Sequence, residues 1–175
     1  IDRNIFTPLQ KHGCNVFHLD QCDGDGVTIR MDIADLGKMN EKFDIVMCCN
    51  TFEHVLDRNK LGKLLVRLTK KGGYIIVTTP QMFPYHGDPI DTYFRPTIEE
   101  QRELLSHSRV IEKEIISIRK PYESRGIFLP LLAMRILLIG NAFLYRIRGK
   151  PVNIWKELMA IFHMWKTVYL VCQKV

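Results

Sequence analysis

Four polar residues, Asn50, Thr51, Glu53 and His54, stand at the end of an apolar run in the stretch FDIVMCCNTFEHVLD, residues 43 to 57. A histidine there can exchange a proton near neutral pH, and a neighbouring carboxylate can hold or orient it. A second histidine, His86, falls in a loop rich in Gly and Pro beside Asp88 and Asp91, where a base can reach a hydroxyl. Two further acids, Asp20 and Asp32, close short apolar segments. Each residue also has a plainer reading. His54 can brace a helix start through a backbone carbonyl, and His86 can bond one of its acidic neighbours. Asp20 can be a turn aspartate and Asp32 a helix cap, while Asn50 and Thr51 are good caps or turn formers.

The elements that must position these groups alternate along the chain. CNVFHLD (14 to 20) and VTIRMD (27 to 32) read as short strands separated by the turn-forming DGDG. FDIVMCCN (43 to 50) has too few polar residues for one face to meet water, which suits a strand covered on both sides. Leu61, Leu64, Leu65 and Leu68 follow at helical spacing, with Asp57 to cap the helix and Gly72-Gly73 to stop it. YIIVTTP (74 to 80) is another buried strand. After a long loop, Thr97 with Glu100 forms a capping box for a helix through about residue 105. VIEKEIISI (110 to 118) and TVYLVCQKV (167 to 175) complete the strands, Gln173 and Lys174 marking an edge. This rhythm predicts an α/β class, a Rossmann-like open and mostly parallel sheet with helices on both faces. Ligands of such sheets sit outside the carboxyl ends of the strands. Asp20, Asp32, residues 50 to 54 and the loop from Thr79 to Arg95 are therefore expected to share one crevice.

At 175 residues, 46% hydrophobic and 25% charged, the chain fits one globular domain. Its net charge of +6 is uneven: eight basic residues against Glu123 alone between Arg119 and Lys156. A solvated basic face accounts for this, and peripheral contact with an anionic membrane through 119–156 is the alternative. Basic and aromatic residues are not interleaved along a strand, which argues against nucleic acid. Arg135 interrupts the apolar stretch 126–145, which favours a buried or half-buried helix pair within an insertion at 119–166 over a membrane span. The five cysteines form no CxxC pair and no Cys/His cluster at zinc spacing, so reduced, buried thiols and no metal are expected. The opening residues lack a basic region followed by an apolar run, which fits a cytoplasmic protein.

The segments FDIV…EHV, KKGGYIIVTTP and HGDPIDTYFRPT occur in the order that resembles class I S-adenosylmethionine-dependent methyltransferases, over residues 4 to 118. That resemblance implies S-adenosylmethionine as cofactor and methyl transfer to a small-molecule, sugar or lipid acceptor. It implies that Asp20 accepts from the ribose hydroxyls, that Asp32 and Ile33 lie against the adenine, and that Asn50 and Thr51 line the methionine portion. His54 and His86 become candidate bases near the acceptor.

The family's first strand and glycine-rich loop, roughly (E/D)xGxGxG, have no counterpart in this sequence. That strand normally lies between the second and the fourth, so an incomplete sheet is expected at that place. An upstream segment or a protein partner would complete it. The alternative is a truncated or non-catalytic methyltransferase-like scaffold acting in protein or membrane-surface interaction.

Overall fold

The computed structural model describes residues 6–24, 26–86, 90–118, 144–149 and 165–175. The chain divides into two units, Ile1–Glu41 and Lys42–Val175. The first unit holds helix α1 (Phe6–Lys11), strands β1 (Leu19–Asp20) and β2 (Ile29–Arg30), and a 3-10 turn, Ile33–Lys38. β1 and β2 form a parallel pair, far shorter than the strands expected at 14–20 and 27–32. Each has one ladder partner, and above Leu19 the chain bonds otherwise: the His18 amide donates to the Thr28 hydroxyl at 2.7 Å.

In the second unit β3 (Phe43–Cys49), β4 (Thr69–Met82), β6 (Trp165–Lys174) and β5 (Ser108–Ile118) lie side by side in that order. β3 and β4 are parallel, and β6 runs antiparallel to both β4 and β5. Three strands thus share one direction, and the closing strand opposes them as expected. The expected sheet is found in two parts: β1 and β2 pair in the first unit, and the other four strands form the larger sheet of the second.

One face of the larger sheet is the core. Ile75 and Val77 of β4 and Val168, Leu170 and Cys172 of β6 are fully buried. Over them lie α2 (Arg58–Leu68), through Leu61, Leu65 and Leu68, and α3 (Ile98–Glu103), followed by Leu105. The spacing of the α2 leucines puts them on one stripe. Asp57 caps the helix, accepting from the Lys60 amide at 2.9 Å. A Cβ on Gly62 would collide with the Leu104 carbonyl, so this glycine sets how closely the helix approaches that turn. Thr97 and Glu100 form the expected capping box of α3.

Three expectations are corrected. β3 is an edge strand with one face open: Ile45 is 52% and Met47 44% exposed, while Cys48 is buried. An apolar sequence permits cover on both faces, but only a layer packed on each face supplies it. β6 is internal, and its polar end residues serve other ends. Gln173 donates to the Gly72 carbonyl at 3.0 Å, and Lys174 donates to the Thr69 carbonyl at 2.8 Å. Gly72-Gly73 do not stop α2, which ends at Leu68. They lie inside β4, where the register with β3 jumps between Phe43 and Ile45, and Gly72 takes a φ of 77° that favours glycine. Of the cysteines, Cys48 and Cys172 are buried and Cys14, Cys22 and Cys49 are exposed, all unpaired.

Most of the insertion, including the helix pair expected within 126–145, lies outside the described residues. Within it, residues 144–147 form one helical turn. No helix among the described residues is long and apolar enough to cross a membrane.

Candidate functional site

β3 delivers its polar residues through a sharp change of direction. Asn50 adopts a φ of 49°, a left-handed conformation that asparagine tolerates better than most side chains. Its amide still donates to the Thr78 carbonyl at 2.8 Å, and its Oδ1 accepts from the Thr78 hydroxyl at 3.3 Å. Thr51 donates its hydroxyl to the Cys49 carbonyl at 3.1 Å. A 3-10 turn follows, Phe52–His54, with Phe52 and Glu53 buried. Asn50 and Thr51 thus behave as turn formers, a role compatible with lining a ligand. Burial pushes the neighbouring Cys48 thiol up to about 12, which keeps it protonated and unreactive.

The loop after β4 closes over this turn. Thr92 donates both its amide and its hydroxyl to the Glu53 carbonyl, each at 2.8 Å, and its hydroxyl accepts from Arg58 at 2.7 Å. Asp91 organises the loop itself. Its carboxylate accepts from both terminal nitrogens of Arg95, at 3.1 and 2.6 Å, from the His86 amide at 3.1 Å and from the Tyr93 amide at 2.7 Å. Burial would raise the Asp91 carboxyl, but Arg95 and the two amides outweigh it and hold the group below the usual carboxylate range. Tyr93 sits at a φ of 60°, strain that the bonded carboxylate holds in place.

Loop and turn bring His54 and His86 together, with ring centroids 5.1 Å apart and edges to face. His54 Nδ1 lies 2.8 Å from the Ile90 carbonyl, which can only accept, so Nδ1 carries the proton. His86 Nδ1 lies 3.0 Å from Asp91 Oδ2 and 3.5 Å from the Pro84 carbonyl; both are acceptors, which assigns its proton likewise. In the neutral rings both Nε2 atoms then carry lone pairs. Glu53 completes the group, its Oε1 3.9 Å from His54 Nε2. Its side chain is almost wholly buried, and among the described residues Oε2 has no hydrogen-bond partner. Burial pushes the Glu53 carboxyl up, against the lowering effects of its own backbone amide, His54 and Arg95.

Two plainer sequence readings hold in part. His86 does bond Asp91, and His54 does bond a carbonyl, although in the loop rather than at a helix start. Asp88 lies outside the described residues. The Asp91–Arg95 pair and the approach of His54 to His86 were not singled out from sequence. The first was legible as an acid and a base four residues apart in a loop; the second, between residues 32 positions apart, was not.

Asp20, Asp32 and Ile33 belong to the first unit. Asp20 Oδ1 accepts from the Cys22 amide at 3.0 Å, as a turn aspartate does. Asp32 caps the 3-10 turn that begins with Ile33, Oδ1 accepting from the Ala34 amide at 2.8 Å. That contact takes one of its two carboxylate oxygens. An open cleft of about 530 Å³ is lined there by Gln21, Met31, Asp32 and Asp35, with Arg30 and Lys38.

Residues 5–77 match the model of a family described as a methyltransferase domain. No curated protein matches the chain. Among solved structures, a protein assigned as a sarcosine dimethylglycine methyltransferase from Galdieria sulphuraria is similar over 97% of this chain and 73% of its own, at 12% identity and a TM-score of 0.57. A SAM dependent methyltransferase from Archaeoglobus fulgidus is similar over 97% of this chain and 80% of its own, at 16% identity and a TM-score of 0.55. The MccD protein is similar over 97% of this chain and 84% of its own, at 14% identity and a TM-score of 0.53. Two further matched chains are spanned over 53% and 60% of their lengths. At such identities the likeness speaks for the fold. Residues 5–77 are thus similar to a methyltransferase domain, and the chain has an α/β Rossmann-like fold shared with solved S-adenosylmethionine-dependent methyltransferases.

Proposed function

We propose that the chain works in S-adenosylmethionine-dependent methyl transfer to a small-molecule acceptor, a sugar or lipid among the candidates. The observation that carries this reading is the exit of β3, where the strand turns through Asn50 and presents Thr51, Glu53 and His54 beneath the His86 loop. When bound, the cofactor supplies a methyl group on a sulfonium centre for direct displacement by a nucleophile. Asp20 would hold the ribose hydroxyls, Asp32 and Ile33 the adenine, and Asn50 and Thr51 the methionine portion.

The chain's own contribution is alignment and exclusion of water, which can act without a strong base. Where the acceptor is a hydroxyl, His54 and His86 offer the proton acceptor at Nε2, because their Nδ1 atoms are held by Ile90 and Asp91.

A second reading is a non-catalytic scaffold that meets a protein or membrane surface. The open edge of β3, with Ile45 and Met47 exposed, favours it. Calorimetric titration with S-adenosylmethionine and its demethylated product separates the two. The enzyme reading expects saturable binding, weakened by about 1.5–3 kcal/mol in Asp20→Ala, the scale of a lost hydrogen bond involving a charged group. No binding by the folded chain would favour the scaffold, and an unchanged constant in the variant would reject the ribose assignment.

A further inference from the structure

Glu53, His54 and His86 each place one ligand atom within 4.8 Å of the others. The sequence did not announce a metal site, because the three come from a strand exit and a distant loop rather than from a spaced motif. Three features of the geometry distinguish this group from a chance cluster. Both histidines have Nδ1 committed to an oxygen acceptor, Ile90 O at 2.8 Å and Asp91 Oδ2 at 3.0 Å, which leaves Nε2 as the ligating atom of each neutral ring. Metal-bound histidines are held in this way, by a carbonyl or carboxylate on the other nitrogen. The Asp91 carboxylate is itself fixed by Arg95, so the outer support is rigid. Finally, the Glu53 side chain is 2% exposed, yet Oε2 has no partner among the described residues. A buried, unpaired carboxylate oxygen is costly unless something positive meets it.

We propose that Glu53, His54 and His86 form a site for a divalent transition-metal ion of the zinc type. Two imidazoles and one carboxylate are a ligand set that zinc takes with a fourth position open to water or to a ligand oxygen. Imidazole ligands disfavour magnesium and calcium, which prefer all-oxygen shells. Zinc bonds of 2.0–2.1 Å set tetrahedral ligand atoms roughly 3.3 Å apart. The 3.9 Å between His54 Nε2 and Glu53 Oε1 must therefore close by about half an ångström, and a pair at the 4.8 Å limit by about 1.5 Å, which calls for rotation of the partly exposed histidine side chains. His54 and His86 have side-chain exposures of 22% and 34%, so an ion can enter from that side. The proposal is independent of the methyl-transfer reading, which requires no metal. It competes with one part of that reading, since an Nε2 lone pair that binds a metal cannot also accept a proton.

The test uses the untagged chain under reducing conditions, titrated with Co²⁺ and Zn²⁺, with Mg²⁺ as a control. The expected result is one Co²⁺ per chain with visible absorption of a four-coordinate nitrogen and oxygen site, displaced by Zn²⁺ and not by Mg²⁺. His86→Ala changes a partly exposed loop side chain. It should weaken binding by at least the roughly 10–100-fold that loss of even an outer-shell partner costs. His54→Ala and Glu53→Gln should do the same, and circular dichroism of each variant reports whether it is folded. Three results would each overturn the proposal: no binding at 100-fold excess metal, a thiolate-to-cobalt charge-transfer band showing capture by cysteines, or affinity unchanged in folded His86→Ala.

Discussion

Two buried carboxylates, Asp91 and Glu53, belong to the same turn-and-loop system and are treated in opposite ways. Asp91 accepts four hydrogen bonds, two of them from a buried guanidinium, and its carboxyl is held below its ordinary range. Glu53 has one oxygen without a partner among the described residues, a histidine nitrogen at 3.9 Å from the other, and a carboxyl pushed above its ordinary range. The Asp91 region builds the loop. The Glu53 region is built by it, since Thr92 anchors the Glu53 backbone while nothing among the described residues satisfies both oxygens of its side chain. A carboxylate kept buried at a cost to stability points to a ligand rather than to the fold.

The largest effect should come from breaking the satisfied partner. Asp91→Ala leaves the buried Arg95 guanidinium without its counter-charge, and should cost about 3–5 kcal/mol in urea unfolding at neutral pH. A loss under 1 kcal/mol would mean that the loop does not depend on this pair. Next comes the tie between the two regions. Thr92→Val removes the hydroxyl that donates to Glu53 and accepts from Arg58, and should cost about 1–2 kcal/mol. The same measurement checks it, and an unchanged midpoint would refute the anchoring role.

The smallest effect has the opposite sign. Glu53→Gln removes the charge while keeping the shape, and should stabilise the folded chain by about 1 kcal/mol at pH 7, the scale of one unpaired polar group. The pH dependence follows from linkage. Glu53 has a folded-state value above its ordinary 4.5, so the folded chain binds that proton more tightly than the unfolded chain does. Its contribution is present at acid pH and is lost as pH rises through the raised value. The gain in Glu53→Gln should therefore appear above about pH 5 and vanish at pH 4. Asp91 runs the other way: its depressed value means stability that is present at neutral pH and lost as pH falls. Urea midpoints of the wild type, Glu53→Gln and Asp91→Asn at pH 4, 5.5 and 7 would resolve both slopes. A destabilised Glu53→Gln at pH 7 would show that this carboxylate supports the fold after all.

The parts of this molecule legible in its sequence were those fixed by nearby residues. Asp57 capping α2, the Thr97–Glu100 box and the leucine stripe each need only a few positions, and each is found. Strand order was less legible. An apolar run says that a strand can be covered, but β3 lies at an edge and β6 lies inside, because pairing is decided by segments far away in the chain. Gly72-Gly73 carry the same lesson: a glycine pair after a helical pattern also suits an irregular start to strand pairing, and here Lys174 and Gln173 bond that segment from β6. At the site, the polar exit of β3 was visible as a change from apolar to polar residues. The contact of His54 with His86 was not, because a loop fold rather than a spacing creates it.

The central claim is that Asn50 and Thr51, at the exit of β3, line an S-adenosylmethionine site. Amide chemical shifts of the isotopically labelled chain, followed through a titration with the demethylated cofactor, test it most directly. The Asn50 and Thr51 amides are expected to shift along one saturable curve with a single dissociation constant. No shift at either amide at saturating ligand would contradict the claim.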